Sequence, residues 1–407
     1  VTAARTSSSP SIGRSVWATR LVFAVNGGLF ASWVSRLPAV RDELEATERG
    51  LGFALFFIAV GSLTAMPFSG KLVGAVGARR VMQVCIVGCA LNFPLLALAP
   101  NLVVLSAVLF VFGATSGVWD VAMNVSGHAV EVEARRSVMP GFHAAWSIGG
   151  VAGAGLGALA ATLDVEPLGH FLAVALAGGV SALYAVRSMP DGTEEPHDED
   201  AAAAHHVPVH GALIRDPRVL GLGIMTFCAA WAEGAANDWL ALLLTDERDA
   251  SGALAALGFA VFAGAMTTGR IAAGRVIDRL GRVRVLRGGA VVAAVGLVAL
   301  LGLPWLPVAY VGALLWGLGI AAAFPTAMTA AGETPGRGPS AIATVATIAY
   351  AGFLVGPPLI GTIAHDTGLD RALWLVVGLT VGVFALAGNT ATPRRPAAAT
   401  ADADVPR

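Results

Sequence analysis

The stretch Gly274-Arg275-Val276-Ile277-Asp278-Arg279-Leu280-Gly281-Arg282 lies between two long apolar runs. A sister stretch stands 204 residues earlier: Gly70-Lys71-Leu72-Val73-Gly74-Ala75-Val76-Gly77-Ala78-Arg79-Arg80. Both follow Gly-x-x-x-Asp-x-x-Gly with basic residues, except that Gly74 stands where the first copy should carry its Asp. The same interval relates Gly113 to Gly317. A basic loop repeated inside a hydrophobic chain points to a duplicated bundle of membrane helices, the plan on which many secondary transporters are built.

Composition agrees. Of 407 residues 56% are hydrophobic and 13% charged, and the mean hydropathy is +0.72. Soluble domains carry about 25% charged residues, so lipid must supply the missing apolar surroundings. The net charge of −1 says nothing about nucleic acid, but no basic patch with interleaved aromatics is present, so no nucleic-acid partner is expected. Cys85, Cys89 and Cys228 sit in apolar runs and read as small buried residues, not as a disulfide or metal framework. No Gly-x-x-x-x-Gly-Lys-Ser/Thr phosphate loop is present, nor His-Glu-x-x-His or Gly-x-Ser-x-Gly, so neither ATP-driven nor hydrolytic chemistry is expected, and no cofactor.

A spanning helix needs about 20 mostly apolar residues. Twelve such runs occur, at about 15–36, 50–71, 80–99, 102–126, 138–162, 168–188, 218–244, 253–274, 284–303, 306–330, 340–364 and 371–390. The first is too long, and too polar at Asn26 and Arg36, for a cleaved signal peptide. With a cytoplasmic N-terminus, Arg36, Arg41, Arg49, Arg248 and Arg371 fall outside and the remaining 21 of 26 basic residues inside. Both termini are therefore expected on the cytoplasmic side. The expected organisation is a disordered tail (1–13), a six-helix bundle (14–188), a cytoplasmic linker (189–217), a second six-helix bundle (218–392) and a disordered tail (393–407). The linker holds His197, His205, His206 and His210, and reads as a solvated segment because no cysteine or fixed ligand spacing accompanies them. Gly149, Gly153 and Gly157 in the fifth run, and Gly352, Gly356 and Gly361 in the eleventh, are small residues spaced for close helix packing. Pro357 and Pro358 are expected to bend the eleventh.

At these residues the chain resembles the major facilitator superfamily, over about residues 14–392. The resemblance implies an all-α membrane fold of twelve helices in two pseudo-symmetric bundles, with a midplane cavity between them, acting as a monomer in a bacterial cytoplasmic membrane. In that family the loop's Asp and Arg latch neighbouring helices on the cytoplasmic side and favour the outward-facing state. By position the role falls to Asp278 and Arg282; Gly74 leaves the first-half latch incomplete, with Arg79 and Arg80 alone. A finer resemblance is to a bacterial branch near the fucose–proton symporters. It is carried by Trp33-Val34-Ser35-Arg36-Leu37-Pro38, Trp119-Asp120-Val121-Ala122-Met123-Asn124 and Glu233-Gly234-Ala235-Ala236-Asn237-Asp238-Trp239. In those relatives an acid in the fourth span couples protonation to substrate binding, and Asp120 occupies the comparable region. The superfamily's proton antiporters usually carry an Arg where this chain has Leu109, and a Gly-Pro pair where it has Gly153-Ala154. Both departures weigh against a drug-efflux antiporter, although export is not excluded by them.

Polar residues in the runs nominate the site. A charge at the bilayer centre costs at least ~2.5–3.5 kcal/mol on insertion scales, so one retained there faces a cavity and a task. Asp120, Asn124, His128 and Glu131 fall on a stripe of about 80° on one helix face at 100° per residue. Asp120, the deepest acid, suits proton binding and release; its structural alternative is a hydrogen-bond partner of Asn124. Glu131 lies nearer the cytoplasm, where an interface or gating role fits. Glu233 and Asn237 share a face of the seventh run, with Asp238 about 100° further round. Their closeness to Gly234 points to a locally unwound helix lining the cavity. Asn26, beside Gly27 and Gly28 and on a stripe with Phe30 and Trp33, can donate to and accept from a hydroxylated solute. His143, Trp146 and Ser147 share a face of the fifth run, His143 being either a satisfied hydrogen-bonder or a proton ligand. Trp146, Trp231, Trp239 and Trp316 could stack on a solute or mark membrane interfaces.

These readings converge on transport of a small organic solute by alternating access. Proton coupling is assigned to Asp120, Glu233 and His143, and solute binding to Asn26, Trp33, Asn124, Trp146, Asn237 and Asp238. Gating is assigned to Arg79, Arg80, Asp278, Arg282 and Glu131. The expected partners are the solute, protons and lipid, with symport favoured, proton-antiport efflux as the alternative, and a non-transporting sensor on the same scaffold ranked last.

Overall fold

In hydrocarbon every backbone polar group must be satisfied internally, so long apolar runs fold as helices. The computed structural model of the chain describes residues 10–135, 138–190, 213, 215–335 and 337–391, and the linker histidines and most of both tails lie outside them. The first six spans are Pro10–Ser35, Glu48–Val76, Ala78–Leu98, Leu102–Ala134, Met139–Thr162 and Pro167–Val186. The second six are Pro217–Arg248, Gly252–Leu280, Arg282–Gly302, Leu306–Gly332, Gly338–Thr367 and Leu369–Thr390. Among the described residues eleven of these are long and apolar enough to cross a membrane. The first is diluted by Arg14, Arg20, Asn26 and three glycines, but its 26 residues span about 39 Å at the helical rise.

The 204-residue repeat is written into the backbone. Thr47 caps the second span by accepting from the Gly50 amide at 3.2 Å, and Ser251 caps the eighth by accepting from Leu254 at 3.4 Å. Both helices then run 29 residues and stop at glycines of positive φ, Gly77 (86°) and Gly281 (82°). A side chain there would be strained. Left-handed residues recur at the same interval, Glu45 with Asp249 and Asp164 with Gly368. Packing repeats as well. A Cβ on Gly113 would overlap the Ile58 carbonyl oxygen, and one on Gly317 that of Phe262, again 204 residues on.

The fifth span lies against the first through Gly149 and Gly153, where a Cβ would overlap the carbonyls of Ala24 and Gly28. The eleventh meets the seventh through Gly352, against the Phe227 carbonyl. These contacts give two six-helix bundles. Three expectations change. The seventh span is one continuous helix through Glu233, Gly234 and Asp238, its alanines and leucines being good helix formers while its polar groups line space at the side. The tenth is broken at Ala321 and Ala322 into Leu306–Ile320 and Ala323–Gly332. The first is already helical at Pro10, where the described residues start, ahead of the expected bundle start at residue 14. Pro357 and Pro358 sit inside an uninterrupted helix, and Gly52 of the second span lies against the Pro357 carbonyl.

Odd and even connections divide between two faces of the bundle. One face carries the helix ends nearest both termini and the central linker; the other carries residues 36–47, 163–166, 249–251 and 368. Among the described residues, the ion pairs joining the two bundles all lie on this second face. Arg41 forks onto Asp246, with one of the two contacts at 2.7 Å, and Arg49 reaches Asp366 at 3.2 Å. His365 stands 3.9 Å from Glu48. On the termini-side face, Lys71, Gly74, Asp278 and Gly281 are exposed. The molecule is closed at one end and untied at the other.

Candidate functional site

Between the bundles lies a cavity of about 330 Å³, at the small end of ligand sites. The first and second spans supply Asn26, Phe30, Ser62 and Met66; the fourth supplies Phe112, Ser116, Trp119 and Asp120. The fifth adds Trp146, the seventh Gly234, Asn237 and Asp238, and the eleventh Tyr350 and Phe353. Glycines make room: Gly27 lies against the Trp146 backbone, so the first and fifth spans approach closely beneath the indole. Trp146 donates its Nε1 hydrogen to Asn26 Oδ1 at 2.9 Å, fixing both groups at the wall.

Asp120 faces the cavity from the fourth span. Asn124, one turn on, donates to the Asp120 carbonyl at 2.8 Å and to its Oδ1 at 3.3 Å. Asn124 is thus a partner of the acid and not among the lining residues. Asp238 enters from the opposite bundle with no hydrogen-bond or ion-pair partner among the described residues. Neither Lys, Arg nor His occurs among the lining residues.

A smaller neighbouring cavity holds Glu233, Asn237 and Arg270. Arg270 donates to both carboxylate oxygens of Glu233, at 2.9 and 3.0 Å. Glu233 is therefore charge-compensated, unlike Asp120 and Asp238. Arg270 is the functional candidate that sequence reading passed over. It sits in the apolar run four residues before Gly274, so the basic loop beyond it absorbed its charge. His143 lies a turn nearer the termini-side face than Trp146, edge-on to Phe23 at 5.4 Å and within reach of the Arg270 charge.

Other nominated residues fall elsewhere. Trp33 is buried against Phe171, away from the cavity, as are Trp231, Trp239 and Trp316, which are core residues. Trp146 alone of the four proposed stacking indoles reaches the lumen, joined there by Trp119. Arg36 donates to the Val165 carbonyl at 2.7 Å, tying the Ser-Arg-Leu-Pro turn to the fifth-to-sixth connection. Glu131 accepts from the Val138 and Met139 amides, both at 2.7 Å, and so caps the fifth span. Arg79 holds the Met189 carbonyl at the end of the sixth span, and Arg80 is exposed. Asp278 is exposed without a partner among the described residues. Arg282 instead forks onto Glu333 at 2.6 and 2.7 Å and holds that carboxyl below its usual range. The reason is local: Gly281 turns the chain between Asp278 and Arg282 and aims the guanidinium at the end of the tenth span.

The family model of the Major Facilitator Superfamily matches residues 16–338 and, in a second placement, 222–406. The chain belongs to this superfamily. It is 35% identical over 381 residues to an uncharacterized MFS-type transporter of Yersinia pestis, covering 93% of this chain and 96% of that one. An uncharacterized transporter of Sinorhizobium fredii is 31% identical, over 89% of this chain and 94% of the relative. The membrane protein MosC of Rhizobium meliloti is 29% identical, over 92% and 89%. Among solved structures, the nucleoside transporter NupG superposes with a TM-score of 0.75 at 14% identity, over 92% of this chain and 98% of that one. A bacterial homologue of the human lysosomal transporter Spinster, inward-facing and unoccupied, gives 0.72 at 13%, over 94% and 98%. At such identities the likeness is one of fold. The molecule is a multi-pass membrane transporter of the Major Facilitator Superfamily, and its cavity stands between the two halves of that fold.

Proposed function

We propose that this chain is a secondary active transporter that moves a small organic solute by alternating access, with protonation of Asp120 as the coupling step. The observation that carries the reading is Asp120 itself: an acid in the middle of a membrane helix, facing the central cavity, with an amide and no base for company. A carboxyl so placed is costly unless it trades its charge for a proton or a solute contact. Tyr350 across the cavity is near enough to feel its charge. Asn26 and Trp146 offer hydrogen-bonding and stacking surfaces on one wall, and Asn237 on another. The Glu233–Arg270 pair acts as a compensated charge pair beside the cavity, and His143 stands on the route to the termini-side face. The residues from 14 to 188 and from 218 to 392 move as the two rocking bodies, with 189–217 as their link.

Symport is supported by the resemblance to the fucose–proton symporters around Trp119–Asn124. Proton antiport is supported by a specific observation, a lining with two carboxyls and no base, in which a solute cation and a proton compete for one group. The purified protein in liposomes with an imposed pH gradient separates the two. Solute accumulating with the incoming proton supports symport, accumulation against it supports antiport, and flux indifferent to the gradient overturns the coupling.

The topology follows from the basic asymmetry: termini and linker cytoplasmic, so that the present state faces inward. Single cysteines at Ala203 and Ser251, in a protein lacking Cys85, Cys89 and Cys228, should react with impermeant maleimide from opposite sides of the membrane. Labelling of both from outside would sink this orientation. In the same frame Arg41–Asp246 is an outer clasp formed in one state only. With side chains 13% and 25% exposed and Asp42 still paired to Arg41, losing the pair costs about 0.5–1.5 kcal/mol, so Asp246→Asn should speed outside labelling of a cysteine at Ser62 by about two- to tenfold. An unchanged rate would remove the clasp from the gating scheme.

A further inference from the structure

Resting on that reading and narrowing it, we infer that the central cavity selects an organic amine cation with a compact apolar body. Asp120 and Asp238 enter it from opposite halves of the molecule, and none of the residues lining it is a Lys, Arg or His. Arg270, in the adjoining cavity, donates to both carboxylate oxygens of Glu233. Two carboxyls in one low-dielectric space repel each other and any anionic solute. A cation relieves both interactions at once. The rest of the wall suits the same solute. Phe30, Trp146 and Phe353 present aromatic surfaces, and a desolvated ammonium near an aromatic face gains about 0.5–2 kcal/mol. The small volume favours one ring with a short aminoalkyl arm. Because the two acids belong to different bundles, an ammonium held by both ties the halves together, so solute charge and conformational state are linked through the same two residues.

Charge selectivity is measured on wild-type protein in detergent, by tryptophan fluorescence and melting temperature, with two sets of equal-skeleton probes. One is phenethylamine, 2-phenylethanol and phenylacetate; the other is cyclohexylmethylamine, cyclohexylmethanol and cyclohexanecarboxylate. At least one amine should bind about tenfold or more tightly than its alcohol, with no carboxylate binding. Asp120→Asn and Asp238→Asn should each lower that preference about tenfold, amine affinity falling much more than the alcohol's. Equal binding of amine and alcohol in both sets, binding of a carboxylate, or an amine preference untouched by both substitutions overturns the inference. The wild-type comparison stands even where a variant fails to fold. Gradient-driven flux of a neutral or acidic solute would overturn the amine selectivity and spare the coupling. Amine binding with flux indifferent to the gradient would do the reverse.

Discussion

Replacing Asp120 by Asn is expected to abolish solute accumulation driven by a pH gradient while sparing solute-for-solute exchange at saturating solute, where weaker binding no longer limits the rate. A gradient of one pH unit supplies about 1.4 kcal/mol per proton. At one proton per solute the wild type should therefore reach about tenfold accumulation, and Asp120→Asn should stay at unity. The amide keeps the size of the side chain and its place beside Asn124, whose main hydrogen bond goes to the Asp120 backbone carbonyl at 2.8 Å and survives the change. Exchange needs the bundles to rock with solute bound and does not need the carboxyl to lose its proton. Counterflow of labelled solute, measured in the same liposomes, thus reports that the variant is folded and mobile. Wild-type accumulation by Asp120→Asn between about pH 5.5 and 8 would leave Asp120 a structural partner of Asn124 and move the proton to Glu233 or His143.

The duplicated loop made the fold legible because the repeat interval fixes backbone features as well as letters. Gly77 and Gly281 are glycines because both helices end in a positive φ, and Thr47 and Ser251 are hydroxyl residues because both helices need a cap. Hydropathy located the spans for the same reason: lipid admits only a closed hydrogen-bond ladder. The first span is the weakest of the twelve runs, since its arginines and glycines lower its apolar content. Cavity-lining residues were legible where a polar group interrupts an apolar run, as at Asn26, Asp120 and Asp238. They were illegible where the chemistry lies in a partner distant in sequence. Nothing in Glu233 alone announces Arg270, 37 residues on, and nothing in Arg41 announces Asp246. Tryptophan misled, because a large indole fills a helix interface as readily as a cavity wall; Trp33, Trp239 and Trp316 are almost wholly buried. The unwound seventh helix was inferred from polar composition, which a helix tolerates when one side faces a cavity.

The Glu233–Arg270 pair gives the second large effect, and it concerns compensation of charge. With side chains 18% and 30% exposed, the pair is largely removed from solvent. Breaking a fully buried pair costs about 3–5 kcal/mol, because the surviving charge has no counterion. The partial exposure here lowers that to about 1–3 kcal/mol. Glu233→Gln should therefore lower the melting temperature in detergent by several degrees and cut transport about tenfold or more, in accumulation and exchange alike. The double variant Glu233→Gln with Arg270→Gln removes both charges and leaves two amides facing each other. It should regain most of the lost thermal stability, since no buried charge remains uncompensated. Transport in the double variant then separates two roles. Recovered exchange assigns the pair to holding the seventh and eighth spans in register, whereas a stable but inactive double variant assigns it to solute passage or gating. A double variant no more stable than Glu233→Gln alone would show that the uncompensated Arg270 charge is not the source of the loss.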